Sequence, residues 1–149
     1  MSTMSWLDKF KQTVNDIRVG PVAGEWACIA MACVVFADGT AGDPEIEKAR
    51  ENCATNPVVV NTLGPAKGEK LFLDTCHAIN TVPSAMLPSY EKKLTALSGK
   101  ISEPQDRQFA LATVLQVAMA DGRLDASEHA MLQRFKQTLG VDLEIPAAS

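Results

Sequence analysis

Phe36-Ala37-Asp38-Gly39 and Met119-Ala120-Asp121-Gly122 are two versions of one tetrapeptide set 83 positions apart, and they decide how this 149-residue chain reads. In each copy an apolar run precedes the tetrapeptide, and an acid stands seven residues after its aspartate: Glu45 after Asp38, Glu128 after Asp121. The same offset pairs Trp26 with Phe109 at the start of the preceding run. Self-similarity at a fixed offset marks an internal repeat. Each unit reads as helix, Asp-Gly, helix. The glycine supplies the left-handed residue that closes a helix. Asp43-Pro44-Glu45 in one copy and Asp125-Ala126-Ser127-Glu128 in the other open the next helix with an N-cap and a first-turn acid.

Helical periodicity extends outward from the two units. Trp6, Leu7, Phe10, Val14 and Ile17 recur every three or four residues, which predicts a helix from Ser5 that Gly20-Pro21 ends. The run from Val22 to Asp38 is apolar on nearly every side, so it predicts a central, buried helix. A third helix runs from Asp43 to about Ala54. Asn56-Pro57 restarts the chain, and Val58, Val59, Val60 and Leu63 carry strand propensity. No second strand exists to pair with them, so they read as a short helix. Lys67 to Ile79 and Ser84 to Leu97 predict two more helices, the second with Pro88 to kink it or delay its start. Ser102-Glu103-Pro104 opens a helix to Asp121, and the last runs to Leu139 with Gly140 as its cap. The fold class is all-α: a compact bundle of about seven to eight helices with an internal pseudo-two-fold helical repeat. The reading is one domain over 1–149, with an N-terminal helix at 1–20, repeat units at 22–54 and 102–141, middle helices at 55–100 and a frayed tail at 142–149.

Composition narrows the function. The formal net charge is -4 and the pI about 5.1, with basic residues dispersed. That disfavours nucleic acid, which needs a basic footprint. Cys28, Cys33, Cys53 and Cys76 include no C-x-x-C pair, so they read as buried small hydrophobes in a reducing compartment. The N-terminus lacks the apolar run of a secretory signal. The most apolar stretch, Trp26 to Ala37, is too short to span a bilayer. The expected location is cytoplasmic. His77 and His129 have no partner at ligand spacing, and no nucleophile-elbow motif occurs. Gly64-Pro65-Ala66-Lys67-Gly68-Glu69-Lys70 lacks the order of a phosphate-binding loop. No catalytic residue is assigned, and the chain reads as a non-enzyme.

The acids carry the functional argument. Capping accounts for the glycines and goes far to account for Asp125 and Glu128. Asp38 and Asp121 fit capping less well, because each is expected in the last turn of a helix. There the carbonyl end disfavours a carboxylate by up to about 1 kcal/mol. A bound cation would reverse that penalty. Asp38, Glu45, Asp121, Asp125 and Glu128 are therefore the candidate metal ligands, and an all-oxygen set selects Ca²⁺ or Mg²⁺. No EF-hand loop is present, and either copy alone is thin. Two sets brought together by the pseudosymmetry would suffice. The rival reading is a metal-independent helical scaffold that binds partner proteins.

At these residues the chain resembles the TerB family of tellurite-resistance proteins. The closest stretch is Ala118-Met119-Ala120-Asp121-Gly122-Arg123-Leu124-Asp125-Ala126-Ser127-Glu128, followed by the helix ending in Leu139-Gly140-Val141. Asp38-Gly39 corresponds to the family's earlier Asp-Gly, and Met4-Ser5-Trp6-Leu7-Asp8-Lys9-Phe10-Lys11 is similar to its start. The resemblance implies an all-helical cytoplasmic protein linked to tellurite and related stress. It also implies a divalent cation held by clustered acids, and action within complexes that reach the inner membrane through other subunits. Asp38, Asp121, Asp125 and Glu128 carry over by motif, Glu45 by the internal repeat. Arg123, Ala126 and Ser127 stand where family members are often acidic, which implies weaker cation binding.

Overall fold

The computed structural model describes residues 19–120 and 122–148. The helix expected from Ser5 and the placement of Asp121 lie outside the described residues. The described chain is all-α: α1 (Pro21–Val35), α2 (Asp43–Thr55), α3 (Pro57–Thr62), α4 (Pro65–Thr81), α5 (Pro83–Ser98), α6 (Pro104–Ala118) and α7 (Ala126–Leu139).

The repeat is visible in the helix bounds. Adding 83 to the bounds of α1 gives those of α6, and the first residue of α2 maps onto the first of α7. α1 and α6 leave by the same exit. Their cap residues, Phe36 and Met119, have φ/ψ of -99/15° and -96/14°. Beyond them the backbone tightens into i→i−3 bonds, Ala37 N–H to Val34 O and Gly39 N–H to Phe36 O in one copy, Ala120 N–H to Val117 O and Gly122 N–H to Met119 O in the other. Gly39 and Gly122 then turn the chain at φ +95° and +82°, where a side chain would be strained.

This exit corrects one expectation. The helix predicted to reach Asp38 ends at Val35, so Asp38 stands in the turn beyond the helix end. Its Oδ1 accepts the Thr40 N–H at 3.1 Å, an Asx turn that gives the acid a local role. The dipole penalty fades beyond the last turn, so it argues less for a cation than the sequence suggested. A second boundary also moves: Gly42 caps α2, and Asp43 is its first residue.

α1 is the central element, buried from Trp26 through Val34, and packs against α4, α5 and α6. Trp26 anchors it: its indole N–H donates to Leu94 O at 3.1 Å, and its ring meets Phe135 of α7 edge-on at 5.3 Å. The valines Val58 to Val60 form helix because Asn56 caps them. Its side-chain oxygen accepts from Val58 N and Val59 N, and Pro57 pre-sets the first turn. Pro88 sits inside α5, which continues past it to Ser98. Arg107 ties helix ends together, donating to the carbonyls of Ile101, Leu139 and Ser98 at 2.7, 2.9 and 3.0 Å. The tail does not fray at once. Ile145 is buried in the core, and Val141 and Leu143 pack beside it.

Candidate functional site

α1 and α6 lie side by side and run parallel. Their amino ends are pinned by the Gly20 N–H, which donates to Asp106 Oδ2 at 3.1 Å. Their carboxyl ends meet at a cleft of about 320 Å³. The pseudo-two-fold relation passes through this cleft. Its lining includes Met31 with Val114, Val34 with Val117, Val35 with Ala118, and Glu45 with Glu128, each pair separated by 83 positions. Asp38 and Asp125 complete the acids on its walls. Four of the five acids singled out in the sequence therefore face one space, and the fifth, Asp121, lies outside the described residues. Asp43 is not part of the lining.

The acids differ in what already holds them. Asp125 is the N-cap of α7 and accepts the Glu128 N–H at 2.7 Å. Glu128 Oε1 accepts the Asp125 N–H at 3.1 Å. This reciprocal box, anticipated from Asp125-Ala126-Ser127-Glu128, fixes both side chains at the mouth of the cleft. Glu45 occupies the equivalent third position of α2, where the positive helix end favours it. Gly42 stands where the second copy has Asp125, so Glu45 has no box partner. It makes no side-chain hydrogen bond or ion pair among the described residues. Asp38 spends one oxygen on its Asx turn.

The structure also adds residues that the sequence did not single out. Lys48 and Asn52, one and two turns along α2 from Glu45, line the same cleft. Their counterparts in the second copy, Met131 and Phe135, are core residues. The repeat is thus broken on the helix that follows each turn. α7 turns an apolar face inward, while α2 gives a lysine and an amide to the cleft. The helical spacing 45, 48, 52 is the signal that could have found them.

The carboxylates suit a hard cation chemically, and the carbonyl ends of two helices converge with them. Among the described residues no three His, Cys, Asp or Glu side chains are grouped so as to hold a metal ion. An ion here would reach the spread carboxylates partly through its own waters, as Mg²⁺ commonly does.

The strongly shifted thiols lie elsewhere. All four cysteines are free and buried. Burial foremost pushes the Cys33 and Cys76 thiols up to about 12. Cys28 is raised further, first by its hydrogen-bonded contact with Cys53, their sulfurs 3.7 Å apart, and then by burial. Thiols so raised are poor nucleophiles near neutral pH. No helix among the described residues is long and apolar enough to cross a membrane.

Residues 25–145 match the family model described as "Tellurite resistance protein TerB". No curated protein and no solved structure matches the chain.

Proposed function

We propose that this chain, which belongs to the TerB family of tellurite-resistance proteins, is a cytoplasmic, non-enzymatic member that binds a divalent cation, Ca²⁺ or Mg²⁺, and acts in a complex with other proteins in stress resistance. The observation that supports the cation most is the meeting of Asp38, Glu45, Asp125 and Glu128 on one cleft from two repeats 83 residues apart. Like charges gathered on one cleft repel, and a cation relieves that repulsion. The convergent carboxyl ends of α1 and α6 act in the same sense.

The experiment is thermal denaturation with EDTA against millimolar Ca²⁺, Mg²⁺ or Mn²⁺. A ligand that binds only the native state raises stability by about 2.7 kcal/mol at a hundredfold excess over its Kd. In a chain of this size that is a rise of several degrees in Tm. An unchanged Tm with all three ions refutes cation binding.

The alternative is a metal-independent interaction module. The apolar floor of the cleft favours it. Under that reading the acids recognise a protein partner, and the cations leave Tm unchanged.

A further inference from the structure

An ion needs oxygen ligands, and the floor of the cleft offers none through its side chains. Met31, Val34, Val35, Val114 and Val117 make it hydrocarbon apart from one thioether. Val35 and Val117 are only partly buried, so apolar surface remains open to water between acidic walls. At about 320 Å³ the space has the size of a small ligand pocket, larger than a single ion requires. The walls are charged on both sides of this floor. Asp38 and Glu45 come from the first repeat, Asp125 and Glu128 from the second, with Lys48 the single basic residue among the described lining residues.

We infer that the cleft receives a basic amphipathic helix of a partner protein. One or two aliphatic side chains seat on the valine floor, and lysine or arginine residues about one turn to either side meet the acids of the two repeats. Charge complementarity selects this occupant. An acidic helix would be repelled by Asp38 and Glu45 on one side and Asp125 on the other, whereas flanking cations pair with acids on both sides. Helical geometry supplies the spacing, because residues three and four apart share a face with the anchor. Lys48 opposes such a ligand and tunes its affinity downward. The inference does not depend on the cation reading. If both hold, cation and helix compete for the same acids.

The test uses the full chain and a synthetic helical peptide of leucine, lysine and alanine, with a leucine stripe flanked by lysines, in titration calorimetry with EDTA present. Two control peptides replace the leucines by alanine or the lysines by glutamate. Both controls should bind about tenfold more weakly or worse. Asp38→Asn with Glu45→Gln should weaken the parent peptide about tenfold, and Lys48→Glu should tighten it about threefold. These exposed positions leave the core untouched, and the control peptides probe the unaltered protein in any case.

The proposal is overturned if the parent peptide fails to bind at millimolar concentration, if the alanine control binds as well as the parent, or if Lys48→Glu has no effect. Concentration-dependent dimerisation of the chain that the Asp38→Asn/Glu45→Gln change abolishes would overturn it in favour of a second copy as occupant. Added Ca²⁺ that weakens peptide binding supports competition, and peptide binding without any cation effect leaves the docking inference standing alone.

Discussion

Asp125 combines two jobs that a pair of substitutions separates. As N-cap of α7 it accepts the Glu128 N–H at 2.7 Å, and it also lines the cleft. Asn caps as well as Asp, because its side-chain oxygen makes the same bond without charge, whereas Ala removes the acceptor. Asp125→Ala therefore costs about 1 kcal/mol without added cation, a fall of roughly 2–4 °C in Tm for a chain of this size. Asp125→Asn leaves the cation-free Tm within about 1 °C of the unaltered protein. Glu45→Gln serves as the matched control. Its carboxylate has no hydrogen-bonded or ionic partner among the described residues, so only a few tenths of a kcal/mol of helix-end attraction is lost. Asp125→Asn and Glu45→Gln should nevertheless both cut the Tm rise produced by Ca²⁺ or Mg²⁺, because each removes one of the charges on the cleft. Scanning calorimetry with EDTA and with each ion reads both effects. Equal cation-free losses for Asp125→Asn and Asp125→Ala would refute the capping account. A full cation response in Glu45→Gln would remove Glu45 from the site.

Two further perturbations test the frame around the cleft. Arg107→Ala strips donors from the helix-end carbonyls of Ser98 and Leu139 and from the loop carbonyl of Ile101, so urea midpoints should fall by the equivalent of about 2–4 kcal/mol. Arg107→Lys, which cannot reproduce the planar fork, should recover only part of the loss. The buried Cys33 and Cys76 thiols are raised from the ordinary 9.0 to about 12, so the folded state holds their protons more tightly than the unfolded chain. Their contribution to stability is complete below pH 9 and declines as pH rises from 9 toward 12. Urea midpoints measured across that range should fall less in a Cys33→Ala/Cys76→Ala double variant.

Much of the fold was legible because its punctuation is local. Gly-Pro, Asn-Pro and Ser-Gly breaks mark helix ends wherever they occur, and the Asp125–Glu128 box forms within one turn. The errors had equally local causes. The apolar pattern that predicted a helix to Asp38 continues through a turn of tighter pitch, and periodicity alone does not separate the last α-helical residue from a 3₁₀ exit. The tail looked free because Pro146 and small residues follow, yet Ile145 is buried 2 positions after Leu143, which packs beside it.

By itself the sequence determined the order of the helices among the described residues, the 83-residue repeat and the acids worth examining, since capping, periodicity and self-similarity are all written along the chain. Only the tertiary structure decided what the acids surround. α1 and α6 became parallel neighbours with both carboxyl ends at one cleft because apolar faces far apart in sequence buried each other. That packing put the valines of both copies beneath the carboxylates. It also turned Lys48 and Asn52 toward the cleft while the equivalent Met131 and Phe135 went into the core. Which face of a helix meets solvent depends on what packs against its other side, and that is settled by the whole assembly of helices.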